Sequence, residues 1–236
     1  IHLVKPEVID DNLELLLNHQ SSLPSWGLLS KLSWREQIGS YEISPSSTLY
    51  SDFGAIRAQL EYEKKSKSLL FDDMSSNWSK EICFWKNVDF EKCLMTGWRN
   101  QQKIIGDVHD PNAFVIEEKV AHAGLFGTIK GLSETIITLQ EKYKILEVMK
   151  KEILKENHER FIKGWDTAEN TSKTLAGKGC SKFTFGHLGF TGTSIWVDCE
   201  KQRGIIILSN STKNGWYQKE NLNVARRDLG AMVWSL

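Results

Sequence analysis

Two side chains of this sequence, Tyr50 and His187, are suited to proton transfer beside an acyl group. His187 lies in the glycine-dense segment 185–198, which reads as an apolar strand where a backbone can approach a ligand closely. A polar turn and a second apolar run over 204–210 follow it. Acyl transfer needs a nucleophile, a base that takes its proton, and donors aimed at the developing oxyanion. The pattern predicts such a site at a strand edge, with Tyr50 and His187 in supporting roles.

The elements that must position Tyr50 are predicted from capping residues and apolar spacing. Asp10 can cap a short helix, which ends before Pro24. A second helix is predicted over about 52–66, after a loop marked by Pro45 and several serines. This arrangement places Tyr50 at a loop-to-helix junction.

The C-terminal half carries the longer periodic patterns. One amphipathic helix is predicted over about 133–157, and a short strand over 161–165. Strands at 183–198 and 204–210 are predicted to form a hairpin, followed by a helix over about 219–236.

Segments 75–112 and 171–182 show no sustained period, and we expect irregular structure there, with one or two short helices in the first. No internal repeat and no linker-like stretch divides the 236 residues. The sequence therefore predicts one domain over 1–236 with an α+β architecture, in which helices flank a small antiparallel sheet.

Four segments resemble elements of the serine β-lactamase, penicillin-binding protein and esterase superfamily. His187-Leu188-Gly189 is similar to the Lys/His-Thr-Gly triplet on the strand that lines the active site, and Tyr50-Ser51-Asp52 resembles the Tyr-Ser-Asn/Asp element. Residues 16–24 resemble the "LLTHTSGLP" segment. Residues 106–113, together with 121–126, resemble a segment of the class C and esterase branch. The four matches follow the order of the family.

The resemblance implies a role for each matched residue. The tyrosine at the position of Tyr50 works in proton transfer with a lysine of the nucleophile helix, and His187 would face it across the cleft. Asp52 and Gly189 would line the substrate site, and the backbone N–H of Phe190 resembles one oxyanion donor. Asp52 replaces the asparagine of many penicillin-recognising members, which weakens the case for lactam turnover. A small ester, lactam or peptidoglycan-like ligand is implied, with no cofactor.

The nucleophile of the superfamily is absent from this sequence. It lies in a Ser-x-x-Lys element before the "LLTHTSGLP" segment, and no lysine here has a serine three residues before it. Two explanations stay open: an N-terminally truncated piece of an active esterase or β-lactamase, or a degenerate member that binds a ligand or partner without turnover. Either way, we expect no hydrolase activity from this chain. We also expect an open sheet edge, covered by a second copy or a complementing chain.

Charge and hydropathy exclude other classes of function. Thirty basic and thirty acidic residues balance, so no long-range field attracts nucleic acid. No apolar run approaches the roughly 20 residues that span a bilayer. The chain begins with Ile1 instead of Met, which is compatible with removal of a leader, and both a periplasmic or secreted and a cytoplasmic location stay open.

The cysteines and the remaining histidines suggest no metal site. Cys83 and Cys93 are close enough in sequence for a disulfide, although most of the four cysteines are expected to be buried thiols. His109, Asp110 and His122 have the donor types that zinc prefers, but their spacing matches no known ligand pattern. The resemblance instead implies that they order a loop beside the cleft.

Overall fold

The computed structural model describes residues 1–155, 159–168, 174–215 and 219–236. Its helices are α1 (Asp11–Leu17), α2 (Trp34–Gly39), α3 (Asp52–Ser66), α4 (Leu70–Ser75), α5 (Pro111–Ile116), α6 (Ile129–Tyr143), α7 (Ile145–Ile153) and α8 (Glu220–Ser235). Its strands are β1 (Ile82–Phe84), β2 (Gly97–Arg99), β3 (Gln102–Ile104), β4 (Leu125–Gly127), β5 (Phe161–Ile162), β6 (Trp165–Thr167), β7 (Thr184–Leu188), β8 (Ser194–Asp198) and β9 (Arg203–Ile207).

The main sheet is antiparallel, in the order β5-β6-β7-β8-β9, and helices cover both of its faces. Successive strand residues point to opposite faces, so Val197 and Trp196 enter different cores. Val197 packs with Met149 of α7, whereas Trp196 packs with Trp234 of α8. The predicted α+β architecture is confirmed.

A separate helical core supports the segment that carries Tyr50. Helices α1, α2 and α3 bury Leu13, Ile38 and Ile56 against one another. Helix α3 begins at Asp52 because the Ser51 hydroxyl oxygen accepts a hydrogen bond from the Gly54 N–H at 2.7 Å. The structure therefore has the helix where the sequence predicts it, over 52–66.

The prediction of a single helix over 133–157 is wrong. The structure has two helices, α6 and α7, separated at Lys144, whose φ of 54° is left-handed. The Gln140 side-chain oxygen accepts a hydrogen bond from the Leu146 N–H at 2.9 Å, which helps to start α7 in its new direction. Residues 156 and 157 of the predicted helix lie outside the described residues.

The strand predicted over 183–198 is also two strands, β7 and β8, joined by a turn over 189–193. The Gly189 N–H donates to the Thr193 carbonyl at 2.8 Å, and Gly192 has a φ of 115° that favours glycine. Likewise, the single strand predicted over 161–165 is the hairpin β5-β6, which turns at Lys163 and Gly164. Alternating apolar residues show a strand but not where the chain reverses.

Segment 75–112 is more ordered than the sequence predicts. It contains β1, which pairs with β4, and the hairpin of β2 and β3. Each of these strands has three residues, which is too short for a period to be recognised. The predicted loop over 174–182 is irregular, and the rest of that prediction lies outside the described residues.

Strand β9 lies at one edge of the sheet and pairs only with β8 among the described strands. A near-continuous apolar run such as 204–210 is typical of a strand buried on both faces, yet Ile205, Ile206 and Ile207 are half-buried and Leu208 is exposed. An exposed apolar edge can template pairing with another chain.

All four cysteines are free thiols, so the Cys83–Cys93 disulfide considered above is not formed. Cys180 and Cys199 are buried, and the other two are half-buried. Among the described helices, none has the length and apolar content needed to cross a bilayer.

Candidate active site

Tyr50 is at the centre of an aromatic cluster at the N-terminal end of α3. Its ring centroid lies 4.6 Å from that of His19, 5.7 Å from that of Phe161 and 5.9 Å from that of His187. Tyr50 is 42% exposed, so the cluster is open to solvent at this residue. The structure thus brings the two residues predicted for proton transfer, Tyr50 and His187, into one aromatic cluster.

His187 lies on β7, where the ladder places it opposite Ile195. Its Nδ1 lies 3.0 Å from the Leu188 carbonyl oxygen. A carbonyl can only accept, so the neutral ring carries its proton on Nδ1 and leaves Nε2 as an acceptor. Burial lowers the pKa of His187 below its ordinary value. The imidazole can therefore accept a proton or a hydrogen bond at neutral pH.

His19 is a site residue that was not singled out by the sequence. It lies in the segment similar to "LLTHTSGLP", is 6% exposed, and contacts both Tyr50 and Phe161. The Ser51 N–H donates to His19 Nδ1 at 3.2 Å. Burial and the neighbouring His187 lower the pKa of His19 to about 4. The sequence signal for His19 was its position in the matched segment 16–24. The resemblance assigned no role to it.

Asp52 lies in the first turn of α3, beside Tyr50. Burial and the nearby Asp110 raise the pKa of Asp52. Burial, together with Asp52, raises the pKa of Tyr50 to about 12, so its hydroxyl stays protonated at neutral pH. Asp52 can accept from that hydroxyl but does not make it a phenolate.

The histidines considered as metal ligands serve separate purposes. His122 Nε2 bonds Asp110 Oδ1 at 2.8 Å, and Asp110 also caps α5 by accepting from the Ala113 N–H. His109 instead contacts the Thr96 hydroxyl and the Phe190 ring. Asp110 and His122 therefore anchor the loop beside Asp52.

Gly189 and Phe190 lie in the turn that follows His187, not within the strand. Phe190 is exposed, and its carbonyl accepts from Lys219 Nζ at 2.7 Å, while the same ammonium lies 4.2 Å from its ring centroid. A cleft of about 430 Å³ opens nearby and is lined by Trp98, His109 and residues 212–215. This cleft does not include Tyr50 or His187. The role of the Phe190 N–H as an oxyanion donor stays a prediction.

A charged pair that no sequence pattern indicated lies beside the aromatic cluster. Arg160 donates two hydrogen bonds to Asp166, at 2.8 and 2.6 Å, and Asp166 is 2% exposed. Arg160 also lies over the ring of Phe161 at 4.9 Å. The positive charge of Arg160 contributes to the lowered pKa values of His19 and His187. No local pattern marks this pair, because each partner is common on a protein surface.

Comparison with known proteins identifies the class of fold. No sequence-family model and no curated protein matches the chain. A β-lactamase (Mb2281c) from Mycobacterium bovis superposes with a TM-score of 0.60 at 15% identity, covering 100% of this chain and 82% of that protein. FmtA from Staphylococcus aureus superposes with a TM-score of 0.56 at 11% identity, covering 95% of this chain and 66% of that protein.

The chain therefore has a β-lactamase-like fold. The resemblance seen in the sequence is confirmed at the level of this fold. The roles of Tyr50, His187, Asp52, Gly189 and Phe190 stay predictions, as does the class C and esterase branch, because likeness at 15% identity concerns the fold alone.

Proposed function

We propose that this chain is a β-lactamase-related serine hydrolase homologue that binds a small ester, lactam or peptidoglycan-like ligand without turning it over. The observation that supports the proposal most directly is the contact of the His19 and His187 rings with the Tyr50 ring in a β-lactamase-like fold. The second support is the lack of any Ser-x-x-Lys in the chain. Tyr50 and His187 would assist proton transfer in an active relative, but residues 1–236 contain no Ser-x-x-Lys serine for them to serve.

The alternative is an active esterase or β-lactamase whose nucleophile comes from sequence beyond these residues or from a complementing chain. Tyr50 is 42% exposed, which leaves the aromatic cluster open to a ligand, as both functions require. The two functions differ in one measurable way. Only the alternative predicts turnover when the nucleophile is supplied.

We expect no hydrolysis and no covalent labelling by this chain alone. Loss of the nucleophile of a catalytic serine unit costs on the order of a millionfold in rate. A chromogenic cephalosporin, a short-chain nitrophenyl ester and a fluorescent penicillin would be incubated with the protein, and mass spectrometry would follow acylation. Stoichiometric acylation of any serine would contradict the proposal.

The exposed edge of β9 supports a second part of the proposal, that a second copy or a complementing chain covers it. Ile205, Ile206 and Ile207 are half-buried, and Leu229 and Met232 of the adjacent α8 are exposed. Light scattering at micromolar concentration should therefore show a dimer or larger species. A monodisperse monomer whose amides at 205–208 are protected from exchange would show that the chain closes its own sheet.

A further inference from the structure

The cleft beside β2, which we call the Trp98 cleft, does not include the aromatic cluster around Tyr50. It is lined by Gly97 and Trp98 of β2, by His109, and by residues 212–215 after β9. Its volume of about 430 Å³ is within the range of small-molecule sites. A Cβ on Gly97 would lie 2.8 Å from His109 Cε1, so a side chain at position 97 would push the imidazole away from β2. Glycine at this position therefore lets the histidine close one wall of the cleft.

Hydrogen bonds between two chain segments hold the walls of the Trp98 cleft together. The Thr212 hydroxyl donates to the Thr96 carbonyl oxygen at 2.7 Å, and Thr212 is 5% exposed. The Asn210 side-chain N–H donates to the Met95 carbonyl oxygen at 2.8 Å. These bonds tie the segment after β9 to the residues that precede β2. The cleft is therefore held open without a ligand.

The segment after β9 supplies a positive charge and free donors to the cleft. Lys213 lines the cleft and forms no ion pair or hydrogen bond within the described residues. The backbone N–H groups of Asn214 and Gly215 also have no acceptor among those residues. No carboxylate is among the described side chains that line the cleft. Donors without acceptors, beside a positive charge and no negative one, favour an anion.

The charges around His109 favour an anion as well. Burial lowers the pKa of His109, and the positive charges of Arg99 and Lys219 lower it further, while Asp110 raises it. The effect of Arg99 is larger than that of Asp110, so the potential at this wall of the cleft is positive.

Trp98 gives the cleft an apolar wall. It lies on a hairpin strand and is 58% exposed, which leaves a large aromatic surface in contact with solvent. The ring centroid of Phe190 lies 5.6 Å from that of His109, so a second aromatic side chain adjoins the cleft. Aromatic rings stack on one another in offset or edge-to-face geometry. The cleft thus combines a stacking surface with an anion-binding segment.

We propose that the Trp98 cleft binds an aromatic carboxylate, with its ring against Trp98 and its carboxylate at Lys213 and the N–H groups of 214–215. The inference goes beyond the proposed function, because none of these residues belongs to the site of Tyr50 and His187. An aromatic carboxylate gains from both stacking and charge pairing. A neutral aromatic compound or an inorganic anion gains from only one of them.

The test compares 2-naphthoate with 2-naphthamide, which has the same rings but no charge, and with inorganic phosphate, which has charge but no ring. Binding is followed in ¹⁵N-labelled protein through the Trp98 indole and Gly215 amide signals. The Trp98 indole signal is the one that Trp98→Leu lacks. We expect naphthoate to bind about fivefold more tightly than naphthamide, the upper end for a solvent-exposed ion pair. Phosphate should bind more weakly than naphthoate.

Two variants with matched controls assign the two parts of the site. Lys213→Met retains the length of the side chain without its charge, so the preference for naphthoate should disappear. Lys178→Met should retain the preference, because Lys178 is exposed and unpaired among the described residues but does not line the cleft. Trp98→Leu should weaken both naphthyl ligands by about fivefold, measured at the Gly215 amide. Trp26→Leu, which removes another exposed tryptophan, should weaken neither.

Every alternative outcome refutes a defined part of the proposal. Equal binding of naphthoate and naphthamide would overturn the selection of an anion. A preference that persists in Lys213→Met would show that another cation pairs with the carboxylate. Phosphate binding as tight as that of naphthoate would overturn the role of the ring. Binding that leaves the Trp98 indole and Gly215 amide signals unmoved would place the ligand outside the cleft.

Discussion

Gly230→Ala should remove about 3 kcal/mol of the free energy of unfolding, the upper part of the range for overpacking. Gly230 lies in α8, and a Cβ there would overlap the carbonyl oxygen of Ala176. The opposing residue is also a glycine: a Cβ on Gly177 would lie 2.5 Å from the Arg227 carbonyl oxygen. Backbone meets backbone at this contact, so no side chain can move aside.

The same contact fixes α8 on the sheet. The Trp234 indole N–H donates to the Ala176 carbonyl oxygen at 2.7 Å, and Trp234 packs on Trp196 of β8. Pushing the helix away from Ala176 would break this bond and open the core between α8 and the sheet. We therefore expect the loss of stability to be cooperative and visible in the urea midpoint.

Gly39→Ala is the matched control for this prediction. Gly39 is also helical, at the end of α2, and a Cβ there meets nothing within 4 Å. Alanine is favoured over glycine in helices by up to about 1 kcal/mol, so this variant should be as stable as the wild type or slightly more stable. If Gly230→Ala unfolds at the same urea concentration as Gly39→Ala, then α8 does not make the close backbone contact with Ala176 and Gly177.

The boundaries of helices and strands are predicted best where a single residue determines them. The predicted cap Asp10 accepts a hydrogen bond from the Leu13 N–H at the start of α1, and the helix predicted over about 52–66 begins at Asp52. The break at Lys144 could not be predicted, because the apolar period continues through it and only the positive φ of that residue shows the change of direction. The turn over 189–193 was hidden for a related reason, since strand-forming residues continue on both sides of it.

The prediction of the site residues depended on the family resemblance and not on a local sequence pattern. Tyr50 and His187 are 137 residues apart in sequence, and no periodicity indicates that their rings lie 5.9 Å apart. The motifs suggested a common cleft for the two. His19 and the Arg160–Asp166 pair were missed because their importance comes from burial and from the partners of single atoms, which only the folded chain provides.

His19 should make the protein lose stability as the pH falls from about 6.5 to about 4. The ordinary pKa of histidine is 6.5, and burial lowers the pKa of His19 to about 4 in the folded protein. Between these values the unfolded chain binds a proton that the folded chain does not, so protons favour unfolding. The stabilisation is fully present above pH 6.5 and decreases toward pH 4. Linkage gives a loss of about 3 kcal/mol.

His19→Asn isolates this effect from the other titrating groups. The variant retains an acceptor for the Ser51 N–H and a residue suited to the left-handed φ of 56°, but has no group that titrates there. Carboxylates and the other histidines apart from His187 titrate alike in both proteins and cancel in the difference, whereas the coupling of His187 to His19 is part of the effect measured. Urea unfolding at intervals from pH 7.5 to pH 4 should therefore show the wild-type stability falling about 3 kcal/mol further than that of the variant. Parallel curves would mean that His19 titrates near its ordinary value, and that the ring is not buried in the cluster of Tyr50, Phe161 and His187.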